Sequence, residues 1–243
     1  MPQRLRLVQS TTAAVLAAAL AGSCGLVPGE TFGDGATVDA EITSVRLESG
    51  PGDVTLRGRE DLDRVTLERT VEYRGDRPEG ATHRVEDGVL VLGGCGRRCE
   101  VRYTVDVPAG ITVTGSTSNG RVTLDKVGAV DVSTSNGRVE LEDVAGPVEV
   151  RTNNGRITGR GLRGDGIRAE TSNGEVDLAL AAPQDVRVRT SNGDVVLTVP
   201  GARYRVTADS DNGDRNIGVD DDPSGPYTLD LATGNGGITV KRG

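Results

Sequence analysis

One short phrase, Thr-Ser-Asn-Gly or a close variant, occurs seven times in this chain and constrains its fold more than any other feature. Successive glycines of the phrase are 17, 18, 19, 19, 20 and 23 residues apart, and an asparagine precedes each one. A unit this short cannot bury its own apolar face, so a nearly constant short period predicts repeats that stack on one another. The seven glycines are Gly120, Gly137, Gly155, Gly174, Gly193, Gly213 and Gly236.

Apolar residues stand at fixed offsets from these glycines. Val122 and Leu124 follow Gly120 by two and four residues, and the same offsets are apolar in most other repeats. The positions seven and five residues before the glycine are apolar as well, and this alternation predicts half-buried strands. Asn-Gly favours a tight turn with positive φ. Each unit is therefore predicted to be a strand, a tight corner, a second strand and a looser connection.

Two all-β topologies fit this unit: a sandwich of up-and-down hairpins, and a β-solenoid in which each unit is one coil. In a solenoid, equivalent strands stack in parallel about 4.8 Å apart. We favour the solenoid because the same residue types return at the same offsets. The apolar positions also hold Val, Leu, Ile and Ala rather than bulky aromatic residues. The prediction is a β-solenoid of parallel β-helix-like coils, each of 17–23 residues.

The repeated polar residues have two interpretations, which the sequence leaves open. In stacked coils, threonine hydroxyls and asparagine amides can hydrogen-bond from coil to coil, as amides do in cross-β structures. Alternatively, both residue types only satisfy the local turn. In either case they are structural rather than catalytic. The threonines stand three residues before the glycine, as Thr117, Thr134, Thr152, Thr171, Thr190 and Thr233.

The first 23 residues are typical of a secretory signal peptide. Arg4 and Arg6 precede an apolar stretch, residues 11–22, that is too short to span a bilayer. Small residues then precede Cys24, an arrangement that resembles the bacterial lipobox, whose cysteine receives lipid. An ordinary signal peptide with an incidental cysteine is the alternative. We expect export, with attachment to the outer face of the cell membrane through lipid on Cys24.

The remaining chain divides into three predicted parts. Residues 24–39 are rich in glycine and lack periodicity, which predicts a flexible tether. Residues 40–110 are predicted to form a less regular N-terminal β cap, with a divergent first coil at residues 45–56 and a hairpin at residues 84–92. Terminal units of stacked repeats must be atypical to stop edge-to-edge growth. Residues 111–243 are the tandem-repeat solenoid, and residues 40–243 form one continuous domain.

Cys95 and Cys99 lie in a glycine-rich turn. In an exported chain, such a closely spaced pair is expected to form a local disulfide. A zinc site would need further ligands, and the chain has a single histidine, His83. We therefore expect neither a structural metal nor a cofactor.

The composition argues against a nucleic-acid partner. The formal net charge is −8, and the chain has no Trp, one Phe and four Tyr. Nucleic-acid binding needs a basic face and aromatic rings on which bases stack. The sequence provides neither feature.

The residue after each turn glycine changes charge along the chain. If coils stack in sequence order, these residues form a stripe that is basic at one end and acidic at the other. We treat the stripe as a candidate surface for an envelope polymer or a membrane-protein partner, with a merely solvated face as the alternative. Its members are Arg121, Arg138, Arg156, Glu175, Asp194 and Asp214.

The sequence supports neither a calcium site nor a catalytic site. Asp209, Asp211 and Asp214 resemble a calcium loop in composition, but the glycine and distal glutamate of an EF-hand are missing. An acidic corner without metal is the default for this segment. No acidic residue belongs to a catalytic motif, and His83 has no Ser or Cys nucleophile motif around it. We expect no enzymatic activity, with a β-helix enzyme that acts on polysaccharide as the alternative.

The repeats resemble a known bacterial envelope family. Residues 103–110 (Tyr-Thr-Val-Asp-Val-Pro-Ala-Gly) and the phrases at Thr117, Thr134, Thr171 and Thr190 are similar to the "putative adhesin" or toastrack β-repeat domain. The resemblance implies an extracytoplasmic β-solenoid-like domain, linked in some members to envelope-stress signalling, and it supplies no active site. We expect a lipid-anchored, non-catalytic binding or scaffold module. An accessory that contacts a membrane signalling partner is the alternative, and a spacer without a ligand comes third.

Overall fold

The computed structural model describes residues 29–62 and 64–243, and these residues form two long β-sheets. The predicted signal peptide and Cys24 lie outside the described residues. Within the described part, no helix has the length and apolar character that crossing a membrane requires.

The described residues contain 21 strands. In chain order these are β1 (Glu30–Val38), β2 (Ser44–Pro51), β3 (Val54–Arg59), β4 (Val65–Tyr73), β5 (His83–Glu86), β6 (Val89–Gly93), β7 (Cys99–Pro108), β8 (Thr112–Asn119), β9 (Val122–Asp125), β10 (Val130–Asn136), β11 (Val139–Glu142), β12 (Val148–Asn154), β13 (Ile157–Leu162), β14 (Ile167–Asn173), β15 (Val176–Leu180), β16 (Val186–Asn192), β17 (Val195–Val199), β18 (Tyr204–Asn212), β19 (Arg215–Ile217), β20 (Tyr227–Asn235) and β21 (Ile238–Arg242).

The predicted β-solenoid is confirmed. Each coil places one strand in each sheet, and equivalent strands pair in parallel and in register, as β10 does with β8 and β12. One sheet has the order β1-β4-β7-β3-β9-β11-β13-β15-β17-β21-β19. The other has the order β18-β20-β16-β14-β12-β10-β8-β2-β6-β5.

The core lies between the two sheets and is built from the inward residues of every coil. In the coil of β10 and β11, Val130, Val132, Val139 and Leu141 are all at most 3% exposed. β-Branched side chains pack well on a pleated surface, which explains the dominance of Val and Ile at these positions. The period-two apolar pattern of the sequence therefore corresponds directly to the inner faces of the sheets.

The coils at both ends do not follow sequence order. At the N-terminal end, the coil of β2 and β3 lies between the coil of β6 and β7 and the coil of β8 and β9. At the C-terminal end, the coil of β20 and β21 lies between the coil of β16 and β17 and the coil of β18 and β19. Stacking in sequence order, which the predicted charge stripe assumes, is therefore wrong between the repeats of Gly193 and Gly213, because the final coil inserts between them.

Antiparallel strands close the N-terminal end. The strand β4 pairs with β7, and β1 pairs with β4 along its whole length from Glu30 to Val38. The prediction of a flexible tether is therefore wrong for residues 30–38, whose backbone completes the edge of a sheet despite its glycine content. The predicted hairpin at residues 84–92 is present as β5 and β6, with positive φ at Asp87 and Gly88.

Close stacking requires glycine at all seven corners, and three of these glycines, Gly120, Gly193 and Gly236, also have positive φ. Gly137, Gly155 and Gly174 do not have positive φ. A Cβ on Gly155 would lie 1.8 Å from the carbonyl oxygen of Gly137, and one on Gly174 would lie 1.9 Å from that of Gly155. The predicted positive φ is therefore present at three corners and absent at the other four, but at every corner the neighbouring backbone lies where a side chain would be.

We expect Gly155→Ala to lower the free energy of unfolding by about 3 kcal/mol, because the new methyl group must push the corner of the neighbouring coil away. Urea unfolding measures the difference. The control is Gly166→Ala, because a Cβ at Gly166 meets nothing closer than the Asp185 carbonyl oxygen at 3.7 Å. Equal stability of the two variants would contradict this account of the corner.

Candidate functional site

The asparagines of the repeated phrase form a continuous amide ladder along one corner of the solenoid. Six of the seven Nδ2 groups donate to the Oδ1 of a neighbouring coil, for example Asn136 to Asn119 at 2.9 Å and Asn154 to Asn136 at 2.8 Å, whereas Asn119 donates to the Ser118 hydroxyl. The ladder follows the spatial order of the coils, since Asn235 bonds Asn192 and Asn212 bonds Asn235. The coil-to-coil interpretation is thus confirmed for the asparagines.

The threonines behave differently. Their hydroxyls do not bond one another but donate to the glycine carbonyl of the neighbouring coil, as Thr171 does to Gly155 at 3.1 Å. Thr190 and Thr233 make the equivalent bonds to Gly174 and Gly193. The hydroxyl of Thr134 is buried and has no hydrogen-bond partner among the described residues. The hydrogen bonds at the corner thus hold neighbouring coils in register.

The predicted charge stripe lies beside this corner. Its first five members, from Arg121 to Asp194, occupy neighbouring coils. Gly237 separates Asp194 from Asp214, because the coil of β20 and β21 is inserted between them. The Asp194 carboxylate accepts a hydrogen bond from the Gly237 N–H at 2.7 Å.

Ion pairs already engage the basic half of the stripe. Arg121 and Arg138 share Glu140, at 3.7 and 3.4 Å. Arg156 lies 2.7 Å from Glu175, the next member of the stripe. A ligand would have to compete with these ion pairs for the three arginines. Ligand recognition by the stripe therefore stays a prediction.

The calcium candidates do not converge. Asp209 and Asp211 lie on the terminal strand β18, Asp214 follows the corner, and all three are exposed. Among residues 29–62 and 64–243, no group of three or more His, Cys, Asp or Glu side chains is arranged to hold a metal ion.

A groove of about 680 Å³ lies on the sheet that contains β8 to β20, at the opposite end of its strands from the Asn-Gly corner. This groove was not predicted from the sequence. It crosses six parallel strands, β8, β10, β12, β14, β16 and β20, near the start of each. Its floor holds Ala129, Pro147 and Gly166 above the buried side chains of Val148 and Ile167. We call this surface the groove; it is lined by Thr112, Thr114, Ala129, Val130, Asp131, Pro147, Val148, Glu149, Asp165, Gly166, Ile167, Arg168, Asp185, Val186, Arg187, Thr228 and Asp230.

Charged side chains form one wall of the groove. Arg168 lies 2.7 Å from Glu170, and Arg187 lies 3.8 Å from Asp230. By contrast, Asp131 and Asp165 are exposed and make no ion pair with another described residue. The free charge of the groove is therefore negative.

The sequence contained a signal for this groove. The residue immediately before the first buried residue of each strand lies in one column across this sheet. These residues are Thr112, Ala129, Pro147, Gly166 and Asp185. Most of these residues are small. Small residues in an outward column, beside a charged column, produce a trough.

An ion pair between β4 and β1 joins a buried arginine to an exposed aspartate. Arg69 is 9% exposed and holds both carboxylate oxygens of Asp34, at 2.5 and 2.8 Å. Its guanidinium also donates to Gly80 O and Thr82 Oγ1, so it ties the segment before β5 to the sheet. The hydrogen bond from Arg69 lowers the pKa of Asp34, and burial raises the pKa of Tyr103, whose hydroxyl donates to Gly93 O at 2.7 Å.

His83 and the cysteines also belong to the cap. Burial is the main cause of the lowered pKa of His83, and its Nδ1 has no hydrogen-bond partner among the described residues. The predicted disulfide between Cys95 and Cys99 is confirmed, with the two Cα atoms 5.7 Å apart. It closes the connection between β6 and β7. These features stabilise the end of the solenoid rather than form a reactive centre.

The family follows from a match over most of the chain. The model of the family described as Toastrack DUF4097 matches residues 38–241. The chain belongs to this family. The matched region begins at the last residue of β1 and ends within β21, so it contains the whole toastrack solenoid. A search of curated proteins found no match.

Three crystal structures are similar to this toastrack chain. A "putative adhesin" from Bacteroides fragilis is 13% identical with a TM-score of 0.49, covering 88% of this chain and 97% of its own. One from Parabacteroides distasonis is 16% identical with a TM-score of 0.46, over 89% and 98%. A "putative cell adhesion protein" from Clostridium sporogenes is 12% identical with a TM-score of 0.40, over 87% and 100%. At these identities no binding property transfers to this chain.

We expect Asn154→Ala to lower the free energy of unfolding by about 1 kcal/mol, because it removes two amide–amide hydrogen bonds from the ladder. Thermal or urea unfolding measures the loss. The matched control is Asn153→Ala, since Asn153 is an exposed neighbour whose amide bonds no described residue. If both substitutions cost the same, the ladder contributes nothing to stability.

We expect Asp34→Asn to lower the free energy of unfolding by about 2 kcal/mol near neutral pH, because it leaves the buried Arg69 without its counter-charge. Since the pKa of Asp34 is lower in the folded state, its stabilising effect is present above the usual carboxyl pKa of about 4 and is lost as the pH falls below it. The stability difference between wild type and variant should therefore shrink in acid.

The control for this pair is Asp39→Asn. Asp39 lies 3.0 Å from Arg64, but both side chains are mostly exposed. Exposed pairs contribute little to stability. Urea unfolding at several pH values compares the two variants, and a pH-independent difference between wild type and Asp34→Asn would refute the proposed role of the Arg69–Asp34 pair.

Proposed function

We propose that this chain is a non-catalytic binding or scaffold module, exported and held at the outer face of the bacterial cell membrane by lipid on Cys24. The observation that carries the binding role is the groove, which runs unbroken across six parallel strands. Ligand sites are typically concave, mostly apolar and preformed.

The construction of the solenoid supports a preformed surface. The strands that line the groove are paired on both sides, from β8 to β20. The backbone ladder also continues around the Asn-Gly corner, where Gly137 N–H donates to Asn154 O and Gly155 N–H to Asn173 O. A ligand in the groove would meet a rigid scaffold and would not have to order it.

The distribution of titratable groups supports a non-catalytic role. Acid–base catalysis usually shows as perturbed groups gathered in a cleft. Here the perturbed groups Asp34, His83 and Tyr103 lie at the N-terminal end of the solenoid and contribute to its packing. None of them lines the groove.

Two features support an exported, anchored protein. The N-terminal sequence combines a basic start, an apolar stretch and small residues before Cys24. The disulfide between Cys95 and Cys99 is typical of an oxidising compartment outside the cytoplasm.

We expect Cys24→Ser to move the protein from the detergent-extractable membrane fraction to the soluble exported fraction, because the lipid acceptor is lost. The measurement is fractionation of producing cells, combined with protease accessibility in intact cells. Ser23→Ala is the matched control and should stay in the membrane. Membrane retention of Cys24→Ser, or a wild-type protein found in the soluble fraction, would exclude the lipid anchor.

A further inference from the structure

We propose that the groove binds an extended basic segment of a partner protein, whose aliphatic side chains fill the trough and whose Lys or Arg side chains pair with Asp131, Asp165 and Asp185. This inference rests on the proposed function, because it names the partner chemistry of the same surface.

The shape of the groove provides the first argument. Unlike the corner glycines, Gly166 is not required by packing, since a Cβ there would meet only the Asp185 carbonyl oxygen at 3.7 Å. The trough is therefore open space that the fold would allow a side chain to fill. The apolar surface that its floor exposes comes from Ala129 and Pro147, since Val130, Val148 and Ile167 are already buried. Such a surface gains free energy by covering apolar side chains.

The charges provide the second argument. Both arginines of the wall are engaged, Arg168 with Glu170 and Arg187 with Asp230. Asp131 and Asp165 have no ion pair with a described residue, and Asp185 only accepts a hydrogen bond from the Thr228 N–H. The uncommitted charges are thus all negative, and the complementary ligand is cationic.

The spacing of the acids indicates a chain rather than a small cation. Asp131 lies on β10 and Asp185 precedes β16, so three strand spacings of about 4.8 Å, about 14 Å in all, separate their coils. An extended peptide covers this distance in four or five residues at about 3.3 Å per residue.

Other polymers fit the groove less well. A nucleic acid or an acidic polysaccharide would be repelled by the free carboxylates. A neutral sugar chain would find no aromatic side chain in the lining on which to stack. The strands are interior to the sheet, so the partner is recognised through side chains and not by strand addition.

The test uses the full chain with Cys24→Ser, so that membranes play no part. The probes are two fluorescent decapeptides, one of alternating Lys and Val and one of alternating Glu and Val, with affinities measured by fluorescence anisotropy. We expect the Lys peptide to bind, with an affinity that falls as salt is raised, and the Glu peptide not to bind. Equal binding of both peptides would overturn the proposal.

Charge-matched variants locate the site. Replacing Asp131, Asp165 and Asp185 together by Asn should weaken binding of the Lys peptide about tenfold, since three partly exposed ion pairs are lost. Asn at position 185 can still accept the hydrogen bond from Thr228. The control replaces Asp209, Asp211 and Asp214 by Asn, which removes the same charge outside the groove. An equal loss in both triple variants would show non-specific attraction and overturn the proposal.

A steric variant tests the trough itself. Gly166→Leu should fill it and abolish binding, whereas Gly201→Leu, at an exposed glycine with no atom within 4 Å of its Cβ position, should bind like wild type. Unchanged melting temperatures verify folding. Two results would overturn the peptide proposal: normal binding by Gly166→Leu, or a wild-type dimer that only Gly166→Leu dissociates. Because this assay needs no anchor, its failure is distinguishable from failure of the membrane attachment tested with Cys24→Ser.

Discussion

Close contact between backbones at the Asn-Gly corner is the constraint on which the rest of the structure depends. The carbonyl oxygen of Gly137 lies where a Cβ of Gly155 would be, and the same relation links Gly155 with Gly174. Only glycine permits this approach. Once the corners are this close, the asparagine amides are within hydrogen-bond distance, and the strands on both sides pair in register next to the corner. The valine columns of the core follow from that register.

The register could be predicted from the sequence because Asn154 and the inward residues Val148 and Val150 recur at the same offsets in each repeat. The order of the last coils could not. Asn192 can stack equally well on Asn212 or on Asn235, since both belong to the same phrase, and the choice depends on how the connections pack. The tether prediction failed for a related reason. Glycines in residues 30–38 suggest flexibility, but an edge of a sheet needs only backbone groups, which every residue supplies.

The surfaces were predicted less completely than the core. The charge column beside the corner followed from the repeat, but its neutralisation by Glu140 depends on contacts between coils that a linear sequence does not show. The groove could have been predicted from the sequence, because Ala129, Pro147 and Gly166 stand at the same distance before the corner glycine of their repeats. Catalytic and metal sites are recognisable in a sequence by their reactive residues, whereas a trough is built from small residues that carry no such signal.

Comparison among the repeats separates positions that build the solenoid from positions that are free to serve another purpose. At the corner, Thr, Asn and Gly recur in almost every coil, because a different side chain there would disturb both neighbours. Immediately before the first buried residue of each strand, the residue type changes from Thr112 to Pro147 to Asp185 while the fold stays the same. Stacking therefore does not dictate this column. A surface that recognises a particular chain needs such freedom, since identical coils could present only one repeated contact. The irregular column of the groove, and not the regular ladder of the corner, is where this solenoid can hold specificity.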